Sequence, residues 1–116
     1  MPSPHIDRFR DALAGWQDRL DANEWAFEQL REDIVAQLAP HQAFGLLDEL
    51  IPVLLQQTDD FPRAECGALL LALARAAATT EMPPILAERW GQVVAALAVD
   101  PQILEEIRLW YRKPAA

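Results

Sequence analysis

The 116-residue sequence predicts an all-α fold of about six helices in a single domain spanning residues 1–116, and three observations predict it. Apolar residues recur at three- and four-residue steps in segment after segment, the spacing of one helix face. Helix-starting and helix-stopping pairs, Ser3-Pro4, Ala39-Pro40, Pro83-Pro84 and Asp100-Pro101, punctuate those segments at helical lengths. No apolar run alternates with the period of two that a half-buried strand requires. The stretch 66–78, CGALLLALARAAA, is the centre of the pattern: Leu69, Leu70, Leu71 and Leu73 point in different directions on a helix, and alanines fill most of the gaps. A helix apolar all round is a buried one. Bracketed by Glu65 and Arg75, it is too short to cross a hydrocarbon core, and Gly67 with the alanines lets neighbouring helices approach closely.

The remaining elements follow in chain order. Ser3 is the expected N-cap of a first helix with Pro4 in its first turn. Ile6, Phe9, Leu13, Trp16 and Leu20 then form one stripe, with Asp7, Asp11 and Asp18 on the opposite side and Gly15 allowing close packing. The chain turns around residues 21–23, and Asn23 caps a second helix whose inward face is Phe27, Leu30, Ile34, Val35 and Leu38; Ala39-Pro40 ends it. A third helix over about residues 41–57 buries Phe44, Leu47, Leu50, Ile51, Leu54 and Leu55, and Pro52 inside it predicts a kink or split near residues 49–51. Residues 58–62 turn into the central helix. Pro83-Pro84 starts a fifth helix lined by Ile85, Leu86, Trp90, Val93 and Leu97. Asp100-Pro101 starts a sixth, along which Ile103, Ile107 and Trp110 align beside Leu104 and Tyr111; Arg108, Arg112 and Lys113 end it with the charge its C-terminus favours. Short connections make sequential neighbours antiparallel pairs, so three hairpins are expected, arranged as a HEAT-like stack or as a compact irregular bundle.

Composition bounds the function. A formal charge of −8 and a pI near 4.6 argue against nucleic acid and anionic membranes, which reward a positive surface, and for a basic protein partner. The single Cys66 forms no internal disulfide, and residues 1–10 hold no apolar run of a secretory signal, so a reducing, cytoplasmic compartment is expected. His5 and His41 lie far apart at helix edges without a metal-like partner four residues away, Cys66 sits in an apolar setting, and there is no glycine-rich phosphate loop, HExxH or GxSxG. Neighbouring carboxylates such as Asp48-Glu49 and Glu105-Glu106 point about 100° apart and read as solvated charge. No cofactor, metal site or catalytic residue is expected, and the chain is read as a non-enzyme. Arg75, interrupting the alanines, is expected to reach the surface or to pair with a carboxylate.

The placement of the charge is the most informative feature. Residues 1–60 hold twelve Asp and Glu against four Arg, whereas residues 61–116 hold six acidic and six basic residues, so the whole excess of −8 belongs to the first half. Glu24, Glu28 and Glu32 are spaced to stack along one helix side, where like charges cost a few tenths of a kcal/mol per pair, and Arg31 does not neutralise the row. Opposite the inward face of that helix, beside Glu28 and Glu32, falls Trp25. An outward tryptophan among carboxylates has the composition of an interface anchor with a charged rim. The expected partner-binding residues are therefore Trp25, Glu24, Glu28 and Glu32, with Asp7, Asp11, Asp18 and Asp21 extending the face. Packing of Trp25 on another helix is the structural alternative.

In size, helix content and charge the whole chain resembles the small, acidic, all-helical immunity proteins of bacterial polymorphic-toxin and contact-dependent inhibition systems, some of which are HEAT-like. The resemblance rests on no diagnostic motif and assigns no residue a role. It implies an inhibitor that masks a basic toxin domain. A helical adaptor or regulatory subunit of another complex, and a ligand-binding bundle or enzyme with a polar pocket near Arg75, are the alternatives from other classes. Monomer or dimer is left open.

Overall fold

A computed structural model describes residues 3–113, and among these it contains eight helices and no strand. They are α1 (Pro4–Ala14), α2 (Trp16–Ala22), α3 (Ala26–Ala36), α4 (Pro40–Gln56), α5 (Asp60–Ala76), α6 (Pro84–Glu88), α7 (Trp90–Leu97) and α8 (Pro101–Tyr111). The all-α class agrees with the sequence pattern; the count of about six does not, because two expected helices are each broken once. Gly15, with φ −114° and ψ 36°, separates α1 from α2, and Arg89, with φ −101° and ψ 14°, separates α6 from α7. Gly15 therefore acts as a breaker and not as a close-packing site: a Cβ added there would meet nothing within 4 Å. Pro52 has the opposite outcome. It does not split α4, which runs unbroken through it, and the ring lies on the helix's exposed side, where water can serve the carbonyl left without a donor.

Two of the three anticipated caps form, at Ser3 and Asp100, whereas Asn23 does not cap the second expected helix, whose N-cap position is Trp25. The Ser3 hydroxyl accepts the His5 N–H at 3.2 Å, and Asp100 Oδ1 accepts the Ile103 N–H at 3.2 Å, so α1 and α8 each begin at a side-chain cap followed by proline. At α4, Gln42 Oε1 reaches back to the Ala39 N–H at 2.8 Å, the reciprocal half of a capping box. At the turn after α2, Asn23 Oδ1 accepts the Trp25 N–H at 3.0 Å, and the helix opens only at Ala26.

Helix α5 begins six residues before the apolar stretch that identified it and is the element on which the others converge. Cys66, Leu69, Leu70, Leu73 and Ala74 are fully buried and Leu71 nearly so. It pairs most extensively with α4, whose Leu47, Leu50, Ile51, Val53 and Leu54 are also inaccessible to solvent. The pairing repeats on either side: α1 packs with α3 and α7 with α8, while α1, α6 and α7 lie beside α4 and α3 and α8 lie beside α5. The central pair is thus covered by an N-terminal and a C-terminal group, within overall dimensions of 39 × 29 × 23 Å. No helix among the described residues is long and apolar enough to cross a membrane.

Gly67 is the contact that lets the C-terminal group approach. A Cβ built there would stand 2.8 Å from Leu97 Cδ2 and 3.1 Å from Ile103 Cγ2, so α7 and α8 meet α5 at a point where no side chain fits without displacement. Gly67→Ala is expected to lower stability by about 1–3 kcal/mol through overpacking, whereas Gly15→Ala, in open space at an ordinary φ, is expected to change it by less than about 0.5 kcal/mol. Chemical denaturation of the two variants beside the parent chain checks the contrast, and equal stability of both would mean that α5 and α7 do not meet at Gly67.

Candidate protein-binding face

The acidic half of the sequence is the α1–α3 group together with α4, and its chemistry is decided by where the four N-terminal arginines go. Arg31 turns inward: its Nη1 lies 3.0 Å from Glu65 Oε2, in a largely buried pair that ties α3 to α5. Burial pushes the Glu65 carboxyl above its usual range, Arg31 pulls it back, and the fields of Asp100 and Glu28 push it up further. Arg8 pairs with Asp33 at 3.4 Å between α1 and α3, and Arg10 pairs with Asp7 at 3.5 Å within α1, both in solvent. Arg8 and Arg19 also line a cleft between α1–α2 and α3, facing Gln29 and Asp33.

This distribution leaves a set of carboxylates without counter-charge. Glu24, Glu28 and Glu32 are exposed, and among the described residues none of them is in an ion pair. Arg31, the basic residue nearest to them in sequence, is committed to Glu65. Beside them Trp25 is 56% exposed, one of two large apolar side chains left in water. The expected exposure of Trp25 is therefore realised, although by a different local geometry. Trp25 is the residue before the first turn of α3, held by Asn23, and not a member of the helix; Glu24 lies in the same turn, so the stacked row consists of Glu28 and Glu32 alone.

The other expected members are exposed but dispersed. Asp7 and Asp11 share one side of α1, and the break at Gly15 moves Asp18 and Asp21 onto α2. Asp18 opens onto a shallow cleft with Asp59 at the start of α5. The seam between α1–α2 and α3 holds Arg8, Arg19 and Asp33, with Arg8 paired to Asp33 and Arg19 in no ion pair among the described residues. Sequence reasoning missed the seam because Arg8 and Arg19 are eleven positions apart and converge only when α2 folds back toward α3. Aromatic packing fixes that return: Trp16 stacks on Phe61 with ring centroids 4.9 Å apart, and Phe27 meets Phe61 edge-on at 5.4 Å.

The remaining candidates resolve simply. Arg75 is exposed and pairs with Glu106 across 3.7 Å, as expected for a residue that reaches the surface, and it lines none of five surface clefts formed by the described residues. Cys66 lies within α5, away from its first turn, and burial raises its thiol pKa to about 12, so it stays protonated and packs as a small apolar group. His5 takes part in the Ser3 cap through its backbone, His41 is exposed, and among the described residues no group of three metal-ligating side chains converges. No family model, curated protein or solved structure matches the chain.

The Arg31–Glu65 pair yields a pH-dependent expectation. The folded-state pKa of Glu65 is raised, so its contribution to stability is largest below the unfolded carboxyl pKa and falls as pH rises through the folded value. Removing Arg31 takes away the group that opposes this rise. Arg31→Met is therefore expected to cost about 1–2 kcal/mol at neutral pH, where Glu65 is left charged and unpaired, and markedly less near pH 4, where the carboxyl protonates. Urea melts at the two pH values check this, and a loss independent of pH would assign Arg31 a packing role alone.

Proposed function

We propose that the chain is a non-enzymatic protein-binding module of the immunity type, which neutralises a basic partner, a toxin domain by class, through the acidic face of its N-terminal helices. The observation that carries the reading is Trp25, exposed in water at the start of α3, with Glu24 next to it in the chain, Glu28 and Glu32 along the helix that follows, and no cation paired with any of the three among the described residues. Folding gains nothing from this arrangement. An exposed indole forgoes its burial energy, and Glu28 and Glu32, one turn apart, repel each other. Against a basic surface both costs reverse: the ring becomes a buried anchor, and the carboxylates steer encounter and pair at the rim.

The architecture supports the same reading. A HEAT-like stack is part of this reading, supported by a central α4–α5 pair that has α1 and α3 on one side and α7 and α8 on the other; that pair would supply rigidity and the N-terminal group the face. The Arg8–Arg19 seam adds selectivity, since a partner must be basic opposite α3 and tolerate guanidinium groups beside it. Cytoplasmic placement fits a thiol with no disulfide partner. A helical adaptor or regulatory subunit would use the same surface, and the identity of the captured protein separates the two readings.

Two baits test the proposal, the wild-type chain and a Trp25→Ala, Glu28→Lys variant, each incubated with lysate of the source cells and followed by mass spectrometry. A basic protein held in stoichiometric amount by the first and lost by the second is expected. With that protein purified, Trp25→Ala should weaken binding by about 2 kcal/mol or more while changing the chain's own stability by less than about 0.5 kcal/mol. Glu28→Lys with Glu32→Lys should slow association, most strongly at low salt. Equal capture by both baits would overturn the face assigned here, and a large fall in melting temperature for Trp25→Ala would mean that the ring is part of the core.

A further inference from the structure

The C-terminal helices leave two open clefts against α4. Ile51, Pro52, Leu55 and Ile85 line one groove, with Arg89 at its rim, and Leu55 and Ala96 line a second cleft beside Arg63. Neither arginine is in an ion pair among the described residues. Arg63 Nε donates to the Gln57 carbonyl at 3.0 Å and Arg89 Nη1 to Gln92 Oε1 at 3.3 Å, and Arg89 is exposed. An apolar groove with a guanidinium group at its rim is complementary to an apolar side chain flanked by carboxylates.

The chain carries that complement on its other group of helices. Trp25 with Glu24 and Glu28 has the required chemistry and is exposed. The other exposed large apolar residue, Leu109, is followed by Arg112 and Lys113, whose charge opposes entry into an arginine-rimmed groove. Within one molecule the two surfaces are kept apart, because α3 packs on α5 and on α1–α2 while the groove lies where α6 and α7 meet α4.

We propose that the free protein self-associates head to tail, the Trp25 turn of one copy seating in the α4–α6–α7 groove of the next. Charge selects this orientation. A head-to-head contact would set one acidic half against another, whereas head to tail sets the half carrying −8 against the half with none and places carboxylates at Arg89. Each copy has one turn and one groove, so the contact is heterologous and growth continues past the dimer until a ring closes. Self-association covers the same tryptophan as the proposed partner and would compete with it. It nevertheless requires no partner, so a failed capture experiment leaves it standing.

Sedimentation of the purified full chain from micromolar to hundreds of micromolar tests it. The weight-average mass should rise with concentration beyond that of a dimer, and the rise should move to higher concentration by roughly an order of magnitude in high salt. Trp25→Ala and Arg89→Glu, both at exposed positions and each checked for an unchanged helical spectrum and melting temperature, should each remain monomeric. Their equimolar mixture is decisive, because the turn of the Arg89→Glu chain and the groove of the Trp25→Ala chain are both intact. It should give a dimer and nothing larger. A monomeric wild type throughout, a mixture that stays monomeric, or assembly that survives either substitution would each overturn the proposal.

Discussion

The rest of the molecule depends on the burial of α5, which is covered on all sides except a half-buried strip of small residues, Ala64, Ala68, Ala72 and Ala76. A helix of this kind cannot be stabilised by one neighbour. Pairing with α4 covers one side, and the remainder must be covered from both flanks, which α3 supplies on one side and α7 and α8 on the other. The N-terminal and C-terminal groups therefore meet chiefly through the central pair, and the geometry of each is fixed by what it finds on α5. For the C-terminal group that is Gly67, whose missing side chain is filled by Leu97 and Ile103. For the N-terminal group it is Phe61, on which Trp16 and Phe27 converge, and Glu65, which engages Arg31. One helix thus sets close approach on one flank and aromatic and ionic contacts on the other.

The ionic contact has a consequence for the surface. Arg31 is the residue best placed to neutralise the carboxylates of its own helix, and it faces inward instead. A partly buried carboxylate without a counter-charge would cost about 1–2 kcal/mol, so the demand of Glu65 outweighs the gain of a few tenths of a kcal/mol from a solvent-exposed pair with Glu28 or Glu32. Folding energetics therefore strip the outer side of α3 of its cation, and the acidic strip around Trp25 follows from a requirement of the core. The Arg75–Glu106 pair marks the other limit: both groups are well exposed, and the contact contributes at most about 1 kcal/mol.

Most of the fold was legible because helix faces are written in three- and four-residue steps. Ile6, Phe9 and Leu13, Phe27, Leu30 and Ile34, and Leu86, Val93 and Leu97 were all assigned inward by periodicity, and all are buried. The illegible parts have local causes. Gly15 and Arg89 each interrupt a helix whose apolar stripe continues across the break, so spacing alone reads one element where there are two. Pro52 carries a breaking signal that α4 overrides, because the surrounding leucines are held on both sides by α5 and by α6–α7. Ala43 and Ala12 are buried without a stripe to announce them, since alanine occurs on every face. For the candidate site, exposure and charge were readable, but the Asn23 turn that removes Trp25 and Glu24 from the helix was not. An asparagine oxygen that accepts from the N–H two residues on, here that of the N-cap residue Trp25, competes with an ordinary N-cap, and the choice between them depends on tertiary contacts.

That turn bears on how the face works. In a helix Trp25 would project at an angle set by its neighbours on the wheel. Held instead by Asn23 Oδ1 on its own N–H, with the Asn23 amide donating to Gln29 Oε1 at 3.0 Å, the tryptophan is fixed at the mouth of α3, beyond the end of its hydrogen-bonded cylinder. The backbone at the anchor is thereby ordered before any partner arrives, which reduces the entropy lost on association and leaves chiefly the ring's own rotamers to be fixed. A protruding, locally braced aromatic serves a concave receptor better than a flat one. The groove beside α4 is concave, and the two proposed contacts, with that groove and with a cleft on a basic protein, would use the same braced tryptophan.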